Sequence, residues 1–311
     1  MAVVRSEHPT DEPLAPGDPR AFARERRRRT RARWWASYRS NGMGVAGLVI
    51  LVGFALMALT APLFVDAADL DVTQVDGPIL ASPSWAYPFG TDDAGRSVLD
   101  LVIWGSRLSL FVGLLAAFVS MAVGSAIGIF AGYRGGFWDS ALMRFTDWFL
   151  VLPLIPLLIV LSGILGGSTA VVILVIGLTS WPWTARLVRS QTLSIRERPY
   201  IERARGLGAR DRHLIAKHVF PNVFPVIFAN TILQVALMIL LESSLSFLGI
   251  GDPNSVSWGS TLEKAFAAGA PTLGAWWWIG FPGACIVLVV LAFTMCGNAA
   301  EEIVNPRLQQ R

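Results

Sequence analysis

Four stretches of this chain run for more than twenty residues without a charged side chain: residues 40–65, 108–133, 148–185 and 276–298. A fifth, residues 223–248, holds a single carboxylate, Glu242. A helix needs about 20 apolar residues to cross the hydrocarbon layer of a membrane, whereas a soluble fold buries only one face of each element. These runs therefore predict membrane-spanning helices.

Composition indicates the same class of protein. Hydrophobic residues make up 53% of the 311 residues and charged residues only 15%, and the mean hydropathy is +0.53. A soluble domain of this length rarely buries so much apolar surface. We predict an all-α integral membrane protein.

The run at residues 148–185 is too long for one crossing. As one helix, its 38 residues would extend about 57 Å, nearly twice the hydrocarbon thickness. The sequence Gly166-Gly167-Ser168 offers a place to turn back. The chain is therefore predicted to have six transmembrane helices, and Pro153, Pro156 and Pro182 are expected to kink or end theirs.

These runs divide the chain into five predicted segments. They are an arginine-rich flexible arm (1–40), a first transmembrane helix (41–65), an extracytoplasmic segment (66–107), a core of five transmembrane helices (108–300) with a polar loop at 190–222, and a tail (301–311).

The lysines and arginines predict the orientation in the membrane. Only Arg96, Arg107 and Lys264 fall on one side of the predicted spans, and all other cations fall on the opposite side. Because cationic flanks are retained in the cytoplasm, both termini and the polar loop should be cytoplasmic. We ascribe the arginines of the arm to this topology and to loose attraction to lipid headgroups, in preference to nucleic-acid binding.

No catalytic or metal site is predicted. The sequence has no GxxxxGK[ST] phosphate-binding loop, and the spans hold no cluster of His, Cys and carboxylate residues with the spacing of metal ligands. Cys285 and Cys296 would lie about 16 Å apart along one helix, too far for a disulfide. The chain is not expected to hydrolyse ATP through such a loop, nor to hold a cofactor.

The polar loop has the pattern of two short helices around a bend. Ile201, Ala204 and Leu207 recur at helical spacing. Gly208 suits the left-handed conformation after a helix end, and Asp211 can start a second helix. Such a knob could seat in a groove on a soluble partner, although amphipathic helices beside membranes are common and spacing alone leaves docking open.

A proline marks the end of this loop. Pro221 suits the first turn of the fifth span, where its missing N–H costs nothing.

The stretch YIERARGLGARDRHLIAKHVFPN resembles the EAA loop by which bacterial ABC-importer permeases grip their ATPase. Glu202, Ala204, Gly208 and Pro221 match its pattern, whereas Arg203 replaces the middle alanine. His218 and Phe220 also depart from it. The resemblance implies an ATPase-coupling site made of Tyr200, Glu202, Arg203, Ala204, Gly208, Ala209, Asp211 and Pro221.

Four further motifs resemble, in the same order, the C-type permease of dipeptide, oligopeptide and nickel importers. They are FGTDDAGRSVLDLVIWGSRLSL, GYRGGFWDSALMRFTDWFLVLP, ESSLSFLGIG followed by SWG, and WWWIGFPGACIVLVVLAF with a closing NPR. The likeness covers about residues 40–307. It implies a type I ABC importer permease fold with six transmembrane helices and a cytoplasmic coupling helix, in the bacterial plasma (inner) membrane.

The same resemblance implies the partners and the mechanism. The partners would be a B-type permease, one or two kinds of ATPase subunit that hold ATP and Mg, and an extracytoplasmic substrate-binding protein. The two permeases would alternate between outward and inward access as the ATPases close and open. Di- or oligopeptides are the favoured cargo, with nickel or another small solute as the alternative.

Two further groups of charged residues are candidate sites. Glu242 could line the pathway or a gate, or it could pack by hydrogen bonds to Ser243, Ser244 or a neighbouring helix. Asp92, Asp93 and Arg96 could contact the binding protein or order their own loop.

An ion-coupled secondary transporter is the competing class. Such proteins often carry several intramembrane charges, whereas the predicted spans offer only Glu242.

Overall fold

The computed structural model describes residues 35–66 and 68–304, and these residues are almost entirely helical. After a helical turn at 35–40, the helices are α1 (Gly42–Phe64), α2 (Val98–Arg134), α3 (Gly136–Val151), α4 (Leu154–Leu165), α5 (Thr169–Arg196), α6 (Pro199–Gly206), α7 (Asp211–Leu214), α8 (Phe220–Phe247), α9 (Trp258–Ala267) and α10 (Trp276–Val304). A 3₁₀ turn covers Ala68–Leu70, and a π-helical turn, Ile215–Val219, joins α7 to α8. Residues 1–34 of the predicted arm (1–40) and residues 305–311 of the predicted tail (301–311) lie outside the described residues.

Within the described residues, five helical segments are long and apolar enough to cross a membrane. They are α1, α2, α5, the continuous helix Asp211–Phe247 and α10. Helices α3 and α4, of 16 and 12 residues, are each too short to cross alone. Taken together they provide a sixth crossing, with a bend of 89° at the break between them. The predicted third span is therefore two helices rather than one.

Pro153 explains this break. Leu152 and Pro153 both have extended backbones, with ψ values of 131° and 116°. Proline has no N–H to continue the helical ladder, and its ring excludes the preceding residue from the helical region. The chain turns back as expected after α4, where Gly166 has φ +92° and the Ser168 hydroxyl accepts a hydrogen bond from the Val171 N–H at the start of α5.

Several helices extend beyond the apolar runs that predicted them. Helix α2 begins at Val98, ten residues before the predicted start at residue 108, because the Ser97 hydroxyl caps it by accepting a bond from the Asp100 N–H at 3.3 Å. The predicted extracytoplasmic segment is thus helical in its last part. At the other end of the bundle α5 continues to Arg196, since long cationic side chains keep their charges in water while their stems pack on the helix.

Close approach of α2 and α5 forms the centre of the bundle. Three glycines at four-residue intervals on α2 lie against β-branched residues of α5, in the pairs Gly124 with Thr184, Gly128 with Val188 and Gly132 with Thr192. A methyl group at Gly128 would lie 2.6 Å from the Ala185 carbonyl oxygen. Small residues let the backbones of two helices approach closely. Close packing matters in a membrane because lipid tails are as apolar as the side chains, so the hydrophobic effect does little to bring helices together.

The bundle has two chemically different ends. The basic end carries Arg134, the end of α5, and α6 and α7, whereas the acidic end carries residues 68–97 and α9. At the acidic end the fully buried Trp258 starts α9 between α2 and α8. Its indole N–H donates to the Val102 carbonyl at 2.9 Å, and its backbone N–H donates to the Ser109 hydroxyl at 3.2 Å.

Candidate coupling site

Helix α6 ends in a Schellman motif at Gly208. Gly208 has φ +84°, and its N–H donates to the Arg205 carbonyl at 2.9 Å. The Ala209 N–H donates to the Ala204 carbonyl at 3.1 Å. The motif requires a left-handed residue after the helix end, a conformation that glycine adopts without a Cβ clash. Gly208 therefore sets the angle between α6 and α7.

The second arm of the bend is tied to α2 by Asp211. Helix α7 begins at Asp211 as expected, but the carboxylate is not its cap. Instead it accepts a hydrogen bond from the buried Tyr133 hydroxyl at 2.9 Å, and Arg134 lies 3.6 Å away. Arg205 lies over the Tyr133 ring at 5.9 Å. The end of α2 is thus held to both arms.

An apolar cluster fixes the underside of the bend to the membrane helices. Ile201 of α6 and Leu214 of α7 are fully buried. Leu214 belongs to a cluster with Val188 and Ile195 of α5 and residues at the ends of α2 and α8, and Ala204 and Ala209 pack against it. Burial of each such side chain contributes about 1.5–3 kcal/mol, which stabilises the packing of α6 and α7 on the bundle.

The opposite face of the bend is open to solvent. Glu202, Arg203 and Gly208 are exposed, and Leu207 at its tip is 89% exposed. Tyr200 is 38% exposed and its ring lies 6.0 Å from that of His218. The cation that replaces the usual small residue, Arg203, therefore points away from the packed underside. We define residues 199–211 as the knob.

Pro221 lies in the first turn of α8, as expected. What was not expected is that α8 continues without a break from α7, so that Asp211–Phe247 crosses the membrane as one helix. The π-helical turn before α8 lets the Phe220 N–H reach back to the Ile215 carbonyl, and the Asn222 amide donates to the His218 carbonyl at 2.6 Å. A π turn and a side-chain donor re-satisfy backbone groups near a proline. The knob and α8 are consequently joined without a flexible linker.

The structure also brings together residues that sequence reasoning missed. Arg189 of α5 makes a bidentate ion pair with Asp139 of α3, with the second bond at 2.6 Å. Arg186 pairs with Asp147 along the same helix pair. The opposite charges on α3 and α5 were visible in the sequence. Their pairing, however, depends on antiparallel packing that brings together residues 50 positions apart, such as Asp139 and Arg189.

A polar contact joins α5 and α8 inside the membrane. The side-chain amides of Asn230 and Gln234, one turn apart on α8, both donate to the Thr184 hydroxyl, at 3.4 and 3.3 Å. Hydrogen bonds between transmembrane helices of this kind contribute about 0.6 kcal/mol on average.

Glu242 lies at the acidic end as a hydrogen-bonding hub. Its side chain is 2% exposed and accepts bonds from the Ser246 hydroxyl at 2.9 Å and the Ser243 hydroxyl at 3.3 Å. Ser109 of α2 and Ser257, the cap residue of α9, also interact with the carboxylate, so Glu242 lies where α8, α2 and the start of α9 meet. The expected partner Ser244 instead donates to the Leu240 carbonyl.

The candidate contact residues in the loop before α2 separate into two kinds. Asp92 is fully buried, Arg96 is 5% exposed, and the two form an ion pair at 2.7 Å. Asp92 also accepts bonds from the Arg96 and Ala94 N–H groups, which orders the loop. Only Asp93 of the three is exposed. Burial, and then the charge of Arg96, lower the pKa of nearby Lys264.

Comparison with known proteins identifies the family. Residues 124–310, which contain the whole knob, match the model of the binding-protein-dependent transport system inner membrane component. The chain belongs to this family. Residues 31–83 of this permease match a second model, the N-terminal transmembrane domain of oligopeptide transport permease C. The resemblance found in the sequence is confirmed, and the protein is a multi-pass inner-membrane protein.

Relatives match the permease over most of its length. A Brucella suis biovar 1 protein with a peptide-permease name is 36% identical over 272 residues, which cover 86% of this chain and 88% of the relative. The dipeptide transport system permease protein of Bacillus subtilis is 33% identical, covering 89% and 85%. The oligopeptide transport system permease protein of the same organism is 32% identical, covering 88% of both chains.

Solved structures show the same fold. Two inward-facing structures of the MetNI methionine ABC transporter align with TM-scores of 0.53 and 0.50, at 18% and 19% identity. Each alignment covers 68% of this chain and 97–98% of the other. At this identity the likeness shows the fold alone, which is that of a type I ABC importer permease, as predicted.

Proposed function

We propose that this permease is one of two membrane subunits of an ATP-driven importer of di- or oligopeptides. Its role is to convert movement of an ATPase subunit into a change in helix packing. The observation that carries the proposal is the knob, a solvent-exposed bend whose underside is locked to α2, α5 and α8. The names of the relatives support peptides as the cargo.

The chemistry of ATP belongs to the partners in this proposal. Two ATPase subunits bind ATP and Mg and close together, and the knob moves with the groove in which it sits. A B-type permease completes the pathway, and an extracytoplasmic binding protein delivers the substrate. This chain supplies no catalytic residue and no cofactor.

The physical requirement on such a device is stiffness between the knob and the membrane helices. Three connections supply it: the bond from Tyr133 to Asp211, the apolar cluster beneath Leu214, and the unbroken helix from Asp211 to Phe247. A displacement of the knob is therefore passed to α2, α5 and α8 together. Packed helix pairs change between discrete arrangements rather than bending continuously, as alternating access demands.

The orientation follows from the charges. The basic end faces the cytoplasm and the ATPases, and the acidic end faces the binding protein. At the acidic end, Asp93 is the exposed residue of the three contact candidates, while Asp92 and Arg96 order the loop behind it.

The proposal is tested by reconstituting the chain with its partners. The complex purified with a tagged ATPase subunit should contain this chain and should take up a peptide into vesicles only with ATP and the binding protein. Ion-driven uptake by the purified chain alone would instead establish a secondary transporter. The solute that co-purifies with the cognate binding protein identifies the cargo.

A further inference from the structure

A cleft of about 680 Å³ opens at the acidic end, between α2, the turn after α1 and the loop before α9. Its lining includes Asp71, Trp104, Arg107, Phe111 and Asn254. The volume lies within the roughly 300–1,000 Å³ range of small-molecule sites. The lining combines an aromatic and apolar wall with a cation, an anion and a carboxamide.

Arg107 lies in this cleft. Its guanidinium carbon lies 4.5 Å from the centre of the Trp104 ring, and the side chain is exposed. Among the described residues Arg107 makes no ion pair, whereas Arg96, Arg186 and Arg189 each bind an aspartate. Stacking on an indole orients the guanidinium and leaves its edge donors available to an anion.

The negative group of the cleft is Asp71. Its carboxylate accepts bonds from the Thr73 N–H at 2.9 Å, the Thr73 hydroxyl at 2.7 Å and the Gln74 amide at 3.0 Å. The backbone bond from Thr73, above all, lowers the pKa of Asp71, so the group is ionised at neutral pH. Two carboxylate oxygens offer about four acceptor positions, which leaves capacity for an ammonium group.

We propose that this cleft receives the substrate as it leaves the binding protein, with the peptide's C-terminal carboxylate on Arg107 and its terminal ammonium toward Asp71. This inference rests on the proposed function and narrows the substrate class to short peptides with free termini. Charge complementarity carries it, because a zwitterionic peptide matches a cleft with one fixed group of each sign. A lipid phosphate at Arg107 is the competing occupant, and the nearby Asp71 charge disfavours it.

The test compares one peptide in two forms, as the free acid and as the C-terminal amide, in vesicles with the full complex. Arg107→Gln should lower uptake of the free acid about five- to tenfold, because hydrogen bonds between charged groups are the strongest. The same variant should lower uptake of the amide less than about twofold. The binding protein is the same in both backgrounds, so its own preference cancels in this double ratio. Asp93→Asn, an exposed acidic-end residue outside the cleft, should affect both forms equally.

Binding to the cleft can also be measured without the binding protein. In the assembled complex with Asn254→Cys, the free-acid peptide should slow labelling of the new thiol by a maleimide, and the amide should not. The parent complex with Cys285 and Cys296 gives the background.

Three results would overturn the inference. Equal loss of both peptide forms in Arg107→Gln would assign the arginine to lipid contact or to folding. Unchanged uptake of both forms would deny it any role, and equal protection of the introduced thiol by both forms would exclude carboxylate recognition. A wild-type complex that takes up other solutes with ATP but no peptide refutes the peptide cargo itself, and so is distinguishable from failure of the cleft alone.

Discussion

The Tyr133 hydroxyl at the end of α2 donates a hydrogen bond to the Asp211 carboxylate at 2.9 Å, across 78 residues of sequence. The bond joins the last turn of a membrane helix to the first turn of α7. Tyr133 is 4% exposed, so the bond is shielded from water on one side, and Arg134 adds an opposite charge on the other. Together with the ion pair from Arg134, it connects the knob to the core of the bundle.

Tyr133→Phe should therefore uncouple the importer. Loss of this bond costs about 0.5–1.5 kcal/mol and leaves Asp211 less firmly held, so transport per ATP hydrolysed should fall about two- to tenfold. The measurement is the ratio of peptide uptake to ATP hydrolysis in vesicles. Tyr38→Phe, which removes a hydroxyl bonded to the Gly44 carbonyl away from the knob, is the matched control. An unchanged ratio in Tyr133→Phe would show that the bond transmits nothing.

Gly208→Ala tests the bend itself. A Cβ at this position meets no atom within 4 Å, so its only cost is the φ of +84°, about 1–2 kcal/mol for an L residue. We expect the complex to assemble in normal amount but to lose coupling, with Gly208→Pro giving a greater loss. Gly206→Ala makes the same chemical change inside α6, also without contacts, and should leave uptake unchanged. Equal behaviour of the two alanine variants would contradict the assigned role of the bend.

Glu242 is predicted to act through structure. Glu242→Ala leaves the surrounding serine hydroxyls without their acceptor, so the melting temperature of the complex should fall by about 4–8 °C, from about 2–3 kcal/mol. Glu242→Gln keeps the shape and one acceptor and should lose less than half as much. Ser244→Ala, a few residues away and bonded only to the Leu240 carbonyl, is the control. Normal melting of Glu242→Gln together with lost substrate stimulation of the ATPase would place Glu242 in the pathway instead.

The ion pairs between α3 and α5 should differ in importance. The Arg189 and Asp139 side chains are 32% and 15% exposed, whereas Arg186 and Asp147 are 46% and 54% exposed. Because exposed pairs are worth about 0.2–1 kcal/mol and bonds to charged groups away from water up to about 3 kcal/mol, Arg189→Gln should lower the melting temperature more than Arg186→Gln. Added salt should reduce the fall in melting temperature caused by Arg186→Gln and should hardly change the fall caused by Arg189→Gln. A larger effect at Arg186 would contradict this ranking.

The sequence predicted the class of fold, the turn at Gly166 and the bend at Gly208, because each depends on local chemistry. Long apolar runs require membrane helices, and glycines allow left-handed turns. The break at Pro153 was expected, but its 89° angle was not, since the angle depends on how α3 packs on α5. Likewise Pro221 lies in the first turn of α8 as expected, but no local pattern reveals the π turn that joins α8 to α7 without a break.

The parts of the site that the sequence did not predict are contacts between distant residues. Tyr133 ends an apolar run and gives no sign that its partner lies beyond two further crossings. For Asp92 and Arg96 the sequence left open contact with the binding protein or ordering of their own loop, and only the folded loop shows that they are buried against each other. Arg107 was assigned only to a side of the membrane, and its stacking on Trp104 is visible only in the folded chain.

The central claim, that the knob seats in an ATPase subunit, is tested most directly by cross-linking at its tip. A photoreactive amino acid in place of Leu207, which is 89% exposed, should form a covalent product with the ATPase subunit in the assembled complex. The same group in place of Trp85, exposed at the acidic end, should form none with that subunit. Absence of an ATPase product at position 207, with that position open to solvent in the complete complex, would contradict the account.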